Sequence, residues 1–199
     1  MASQKIKAVL FDMDGTVVDV PYDWREIKEK LETGGVPILE YLSGLQEPEC
    51  SRKWMILTGY EDEATARAVL KDGLVELLEF LASRGIRTAL VTNNSEKNTR
   101  AVVEKFGLCF DHVLSRESGL WKPSGAPFRA VLQAFGLGAE EGCVVGDSFI
   151  DIRAAENAGI RRIFILSDEP ENFAGTAVEV LPDIDSLRKR LGQLEDGRS

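Results

Sequence analysis

The sequence contains few of the residues that mark disulfide-rich, zinc-binding or membrane proteins. Its 199 residues include three cysteines and one histidine, and no two cysteines form a C-x-x-C pair. This argues against a disulfide framework and against a zinc site. No apolar run approaches the length of about 18 residues that spans a bilayer, and the first five residues lack the apolar core of a signal peptide. We therefore expect a cytoplasmic protein without a membrane partner.

Basic residues are also scarce relative to acidic ones. Lys and Arg total 24 against 33 Asp and Glu, which gives a net charge of −9. A surface of that sign repels the phosphates of nucleic acids and of anionic lipids, so we expect no nucleic-acid partner. A small anionic substrate stays compatible, because a local site can differ in sign from the whole chain.

Strand and helix patterns alternate over most of the chain, whose apolar content of 44% is enough for a buried core. From residue 73 onward, short apolar runs such as 86–92 and 143–145 alternate with amphipathic helices. This alternation predicts an α/β fold with a doubly wound parallel sheet. Between residues 20 and 72 the pattern is helical and shows no strand signal. We therefore predict a core of residues 1–19 and 73–199, with residues 20–72 as a small helical insert.

Two carboxylates follow the first predicted strand. The apolar run 8–11 is typical of a buried strand, and Asp12 and Asp14 come directly after it, followed by Gly15. Side chains alternate along an extended chain, so the two acids point to the same side. Two carboxylates at the end of a buried strand are costly unless something positive meets them. The sequence therefore predicts a cation close to Asp12 and Asp14.

Further polar groups follow the later predicted strands or lie on the loop between them. They are Thr92, Asn93, Lys122, Asp147 and Asp151. Ligands bind at the carboxyl ends of the strands in such sheets, so four carboxylates and one lysine are expected to share one region.

The chemistry of this set favours phosphoryl transfer. The available ligand atoms are all oxygens, with no His or Cys in the motifs, so Mg²⁺ is the expected ion. Thr92 and the backbone N–H groups at the start of the next helix suit an anion, with Lys122 as a further countercharge. No Gly-rich P-loop is present, which makes an Asp nucleophile the reasonable candidate.

Each feature by itself also has a structural explanation. The first two acids could form a turn, the stretch 92–95 could cap a helix, and Lys122 could be an ordinary loop lysine. Asp147 and Asp151 could be an N-cap and a first-turn acid on the helix dipole. Their occurrence together favours the functional interpretation.

The ordered motifs resemble those of the haloacid dehalogenase-like superfamily, in its phosphoglycolate phosphatase-like subgroup. The matching segments are 12–16 (Asp-Met-Asp-Gly-Thr), 92–93 (Thr-Asn), 122–123 (Lys-Pro), 146–151 (Gly-Asp-Ser-Phe-Ile-Asp) and 154–159 (Ala-Ala-Glu-Asn-Ala-Gly). The resemblance covers about residues 5–168. It implies a Rossmann-like core and a cap, formed by the helical insert, that closes over the substrate.

The resemblance also implies catalytic roles. Asp12 would attack phosphorus and form an aspartyl-phosphate, while Asp14 would protonate the leaving alcohol and then deprotonate the hydrolytic water. Thr92 and Asn93 would bind the transferring phosphoryl group. Lys122 would neutralise charge on that group and on Asp12.

The metal site follows from the same resemblance. Asp12, Asp147 and the backbone carbonyl of Asp14 would ligate Mg²⁺, and Asp151 would support the metal directly or through water. These assignments imply a Mg²⁺-dependent phosphatase acting on a small phosphorylated metabolite, such as a phosphoglycolate-like phosphomonoester.

Other functions fit part of the pattern. A sugar phosphomutase of the same superfamily shares these residues. A receiver-like phosphoacceptor domain, from a different class, also combines clustered Asp with Thr or Ser and Lys, but the spacing of Asp12 and Asp14 and the helical insert are unlike it. The halidohydrolase branch is disfavoured because it would require neither Asp14 nor Mg²⁺. The sequence leaves the substrate and the oligomeric state open.

Overall fold

The chain folds around a parallel sheet in a computed structural model that describes residues 5–195. The strands in chain order are β1 (Ala8–Phe11), β2 (Val18–Asp19), β3 (Val69–Leu70), β4 (Arg87–Val91), β5 (His112–Leu114), β6 (Gly142–Gly146), β7 (Arg162–Leu166) and β8 (Glu179–Leu181). Six of them form one sheet in the order β5-β4-β1-β6-β7-β8, and every neighbouring pair in it is parallel. This confirms the predicted α/β class and the parallel sheet.

Helices cover both faces of this sheet. They are α1 (Trp24–Leu31), α2 (Ile38–Ser43), α3 (Glu49–Ala66), α4 (Leu74–Ser83), α5 (Glu96–Phe106), α6 (Ala126–Phe135), α7 (Phe149–Ala158) and α8 (Ile184–Glu195). Alternate strand residues enter two separate apolar clusters: Val9 and Phe11 pack with α4, α5 and α8, while Ala8 and Leu10 pack with α6 and α7. The sheet is therefore doubly wound, as predicted. Within 5–195, no helix is both long and apolar enough to cross a membrane.

The topology reverses at β1. From this central strand the chain continues to β4 and β5 on one side, and later to β6, β7 and β8 on the other. The carboxyl ends of β1, β4 and β6 thus lie side by side where the strand order reverses. Such a switch point leaves a crevice in which open α/β sheets bind ligands.

Helices α1 to α3 have an apolar cluster of their own, formed around Ile27, Leu31 and Leu57. Lys53 is buried in this segment, where its Nζ donates to the carbonyl of Leu31 at 2.7 Å and to the hydroxyl of Tyr41 at 2.8 Å. The helices thus hold together through their own core. The division into a core of 1–19 and 73–199 and a cap of 20–72 stays a prediction.

One detail of the helical segment differs from the sequence prediction. Residues 69–70 form a short strand, antiparallel to β2, where no strand was expected; two residues are too few to show an alternating pattern. Helix α3 runs without interruption through Thr58 and Gly59. Helix α1 begins at Trp24, because the Asp23 carboxylate accepts the first free N–H groups, from Arg25 at 3.1 Å and Glu26 at 2.9 Å.

Candidate active site

The sequence-predicted residues gather at the carboxyl ends of the three central strands. Asp12 follows β1, and its backbone N–H still donates to Val145 of β6 at 2.9 Å, which fixes it against the neighbouring strand. Thr92 follows β4, and Asp147 follows β6. Strand pairing therefore brings together residues that lie up to 135 positions apart in the chain.

A glycine makes the close approach of two motifs possible. Gly15 has a φ of +84°, and a Cβ added there would lie 2.1 Å from Oδ2 of Asp147. A side chain at this position would be strained by the backbone and would collide with the carboxylate. The glycine of the first motif therefore allows Asp147 to lie against the turn that follows β1.

Lys122 links two of the carboxylates. Its Nζ lies 2.6 Å from Oδ1 of Asp12 and 2.6 Å from Oδ1 of Asp151, and only 3% of the residue is exposed. Burial disfavours the charged lysine, but the two carboxylates outweigh that effect and raise its pKa above the ordinary value. Lys122 therefore carries a full positive charge beside Asp12.

Asp151 is held in place from both sides. Its Oδ1 accepts from Lys122, and its Oδ2 accepts from the backbone N–H of Ser148 at 3.2 Å and from the hydroxyl of Ser148 at 2.7 Å. The carboxylate is fully buried. It anchors the lysine and closes the start of α7.

Three carboxylates form a site that suits a divalent cation. Asp12, Asp147 and Asp151 each offer an oxygen, and these oxygens all lie within 4.8 Å of one another. Burial, reinforced by the neighbouring carboxylates, raises the pKa of Asp12 to about 7 and that of Asp147 to about 8. One lysine does not balance this charge, and an all-oxygen donor set of this kind is suited to Mg²⁺. The side chain of Asp14 is not part of this group.

The side chains of Thr92 and Asn93 have different partners. Thr92 is buried, and its Oγ1 accepts from the backbone N–H of Asn94 at 3.0 Å, which leaves its hydroxyl proton free to donate. Asn93 instead binds the backbone of Lys122 in both directions: its Nδ2 donates to the carbonyl and its Oδ1 accepts the N–H, each at 2.8 Å. The Asn93 side chain thus positions the lysine loop.

Sequence reasoning missed the contact that orients Asp14. The buried side chain of Asn94 donates to Oδ2 of Asp14 at 3.0 Å and to the hydroxyl of Tyr22 at 3.2 Å. The other Asp14 oxygen, Oδ1, is buried and has no hydrogen-bond partner within residues 5–195. Burial raises the pKa of Asp14 to about 6. Asn94 follows Thr92 and Asn93 directly, which is the one sequence feature that suggests a role in the site, but the stretch 92–95 by itself is equally typical of a helix cap.

Sequence reasoning also missed a buried ion pair beside the site. Arg116, in the 3₁₀ turn after β5, donates from Nη1 and Nη2 to the two carboxylate oxygens of Glu61 in α3, at 2.7 and 3.0 Å. Its guanidinium also lies over the ring of Trp54, 4.9 Å from the centroid. The pair fastens the helical segment to the loops at the strand ends. No local sequence pattern announces a contact between residues 55 positions apart.

A cavity of about 430 Å³ opens above the carboxylates. Its floor contains the sequence-predicted residues, namely Asp12, Asp14, Thr92, Asn93, Lys122, Asp147 and Asp151. Its opposite wall is built from the helical segment, including Tyr22, Trp24 and Leu57. All seven predicted residues therefore border one cavity of the size usual for a small-molecule site.

Comparisons with known proteins agree with this arrangement. The family model of haloacid dehalogenase-like hydrolases matches residues 19–159. The chain is 31% identical to a phosphoglycolate phosphatase of Rhodospirillum rubrum, over 96% of this chain and 93% of that protein. It is 26% identical to the GMP/IMP nucleotidase YrfG of Escherichia coli, over 98% of each. The crystal structure of CbbY from Rhodobacter sphaeroides in complex with phosphate has the same fold, with a TM-score of 0.69 at 24% identity, over 92% of this chain and 96% of that one.

These matches define an enzyme of the hydrolase class with an α/β core. The chain belongs to the haloacid dehalogenase-like hydrolases, and the expected resemblance to the phosphoglycolate phosphatase-like subgroup is confirmed.

Proposed function

We propose that this hydrolase is a Mg²⁺-dependent phosphatase that acts on a small phosphorylated metabolite through an aspartyl-phosphate on Asp12. One observation carries the proposal: Asp12 lies 2.6 Å from the buried Lys122 ammonium and within 4.8 Å of two further carboxylates, at the floor of a cavity. A nucleophile, a countercharge and a set of oxygen ligands thus meet where a substrate can enter. This is the constellation that phosphoryl transfer requires.

The described residues fit the steps of such a reaction. Asp12 attacks phosphorus, and Lys122 offsets the negative charge of both the carboxylate and the transferring group. Thr92 donates its free hydroxyl proton to a phosphoryl oxygen. Asp14, held through Oδ2 by Asn94, uses its free Oδ1 to protonate the leaving alcohol and then to deprotonate the water that hydrolyses the intermediate.

The residues that would hold Mg²⁺ are Asp12, Asp147 and the backbone carbonyl of Asp14, with Asp151 in support. Bound there, the ion would offset the carboxylate charge and polarise the phosphoryl oxygens. Asp151 already accepts hydrogen bonds on both oxygens, so its main contribution is to keep Lys122 and the start of α7 in position.

The helical segment supplies the rest of the proposal. Residues 20–72 act as a cap, which is supported by the separate apolar cluster of α1 to α3 and by their contribution to one wall of the cavity. The similar proteins named above are named for different kinds of substrate, phosphoglycolate in one case and the nucleotides GMP and IMP in the other. Similarity to them therefore does not identify the alcohol that this enzyme releases. We expect the enzyme to work in the cytoplasm, which the position of a fluorescent fusion in the cell would test.

The test is phosphate release from a panel of phosphorylated metabolites, with Mg²⁺ and with EDTA. We expect Mg²⁺-dependent turnover by the wild type and none by Asp12→Asn. Asp14→Asn should slow both the formation and the breakdown of the phosphoenzyme, which acid quenching and mass spectrometry would detect as one added phosphoryl group. Full Mg²⁺-dependent hydrolysis by Asp12→Asn would refute the assignment.

The same panel separates the alternatives. An isomerised sugar phosphate in place of free phosphate would identify a phosphomutase. A phosphoenzyme that persists for minutes without multiple turnover would favour the receiver-like function, which membership of a hydrolase family already disfavours.

A further inference from the structure

Exposed apolar side chains concentrate at the cavity. Among residues 5–195, eight large hydrophobic side chains are exposed, and four of these line this one cavity. Trp24 and Val36 come from the helical segment, and Phe149 and Ile150 come from the start of α7. Single exposed apolar side chains are common on protein surfaces, whereas their concentration around one cavity is typical of a ligand-binding site. The concentration therefore indicates a ligand with an apolar body.

Two aromatic rings lie next to the group proposed to protonate the leaving alcohol. The rings of Tyr22 and Trp24 have centroids 4.4 Å apart with an interplanar angle of 35°. The Tyr22 hydroxyl accepts from Asn94, whose Nδ2 also donates to Asp14. Tyr22 is thus linked through Asn94 to Asp14, and Trp24 packs against Tyr22 and lines the same cavity. Both rings can therefore contact the alcohol portion of the substrate.

The cavity is too large for a two-carbon alcohol alone. Its volume of about 430 Å³ equals the room of roughly 14 water molecules at about 30 Å³ each. A transferred phosphoryl group with a glycolate leaving group would leave much of that room unfilled. A bulkier alcohol would displace water from the apolar wall, which is favourable.

Two cations at the cavity have no partner in the described chain. Lys28 and Arg153 both line it, and neither side chain forms a hydrogen bond or an ion pair with another of residues 5–195. Elsewhere in this acidic protein most basic residues are paired with carboxylates. The two free cations provide donors for polar or anionic groups on the body of the substrate.

We propose that the enzyme hydrolyses phosphate monoesters whose leaving alcohol carries a planar ring with polar edges, stacked against Trp24 and Tyr22, with Lys28 and Arg153 as donors to those edges. This inference rests on the proposed phosphatase function and names the substrate class of that same site. Nucleoside 5′-monophosphates represent the class, and inosine 5′-monophosphate is the probe. Glycerol 3-phosphate and 2-phosphoglycolate are the probes without a ring.

The first experiment compares kcat/KM for these three probes in the wild type and two variants. Trp24→Ala removes a ring that is 44% exposed, and Met55→Ala is the matched control, because Met55 is 71% exposed and lies on α3 away from the cavity. The wild type should prefer the nucleotide by at least about fivefold, the lower end for one stacked base. Trp24→Ala should lose most of that preference, and Met55→Ala should keep it. Trp24→Leu, which retains apolar bulk without the ring, should behave like Trp24→Ala and guards against misfolding of the alanine variant.

The second experiment separates failure of this inference from failure of the proposed function. Titration calorimetry of the Asp12→Asn protein with Mg²⁺ measures binding of the same three probes without turnover. Tighter binding of the nucleotide that is lost in the Asp12→Asn/Trp24→Ala protein supports the ring site, whether or not any probe is hydrolysed. Absence of hydrolysis of all three probes by the wild type would overturn only the phosphatase assignment. Equal or weaker binding of the nucleotide relative to the ring-free probes would overturn the ring site. An equal loss for all three probes in Trp24→Ala would also overturn it, because the wall would then serve closure of the segment rather than recognition of a ring.

Discussion

Asn94 allows a sharp prediction about proton transfer. Replacing it with alanine removes the hydrogen bond of 3.0 Å to Oδ2 of Asp14 and leaves the Asp14 carboxylate in place. A hydrogen bond to a charged group contributes about 1.5–3 kcal/mol, which corresponds to a rate loss of about 10- to 150-fold if the bond orients Asp14 in the transition state. The loss should depend on the substrate, because only a poor leaving group needs the proton.

The assay compares phenyl phosphate with p-nitrophenyl phosphate, which has the same ring and a more acidic leaving phenol. On phenyl phosphate, kcat of Asn94→Ala should be about 10- to 150-fold lower than that of the wild type, which is the full loss estimated above. On the nitro compound the decrease in kcat should be markedly smaller. Asp14→Asn should show the same dependence more strongly. Asn172→Ala is the matched control, since within residues 5–195 the side chain of this exposed asparagine bonds only to Glu169, at 2.6 Å. An equal loss on both esters in a variant that keeps the wild-type melting temperature would refute the reasoning, because Asn94 would then act on binding or packing and not on the proton.

Three further predictions concern metal, packing and backbone. The pKa values of the buried acids, about 7 for Asp12 and about 8 for Asp147, lie above the ordinary 3.8. In the metal-free protein the contribution of these two groups to stability should therefore be complete below about pH 4 and be lost as the pH rises through 7 to 8. Thermal melts should show a Mg²⁺-induced gain that grows from pH 5 to pH 8, and a constant gain would contradict this. Because Glu61 and Arg116 are a buried pair, Arg116→Met should lower the free energy of unfolding, measured in urea, by about 3–5 kcal/mol. The double variant with Glu61→Gln should lose less stability than the sum of the two single variants, and additive losses would argue against coupling. Gly15→Ala should lower the apparent Mg²⁺ affinity in activity titrations by at least about tenfold, by analogy with supporting groups of metal sites, because the new Cβ would displace the Asp147 carboxylate; an unchanged titration would show that the loop adapts.

The sheet was predictable because its signals are local. The central strands 8–11 and 142–146 contain short apolar runs, and polar residues follow each of them directly. Hydrophobic periodicity and turn-forming residues are properties of neighbouring positions, so a single sequence shows them. The two-residue strand 69–70 escaped prediction because its pairing with β2 is decided by the path of the chain across the insert and not by its own composition.

The floor of the site was predictable for a related reason. Parallel strands place their carboxyl ends at one edge, so Asp12, Thr92 and Asp147 had to meet once the strands were identified. The sequence also predicts Lys122 as a site residue, whereas its ion pair with Asp151 can be recognised only in the folded structure.

The remaining part of the site depends on contacts between side chains that are distant in the sequence, and local sequence patterns do not predict such contacts. Tyr22 and Glu61 belong to the helical segment, yet their partners Asn94 and Arg116 belong to loops at the strand ends. These two contacts tie the position of the segment to the orientation of Asp14, because the amide that binds Tyr22 is the one that binds Asp14. A movement of the segment away from the sheet would break both contacts, so the position of the segment is linked to the orientation of the proposed proton donor through one nitrogen, Nδ2 of Asn94, which donates to both Tyr22 and Asp14.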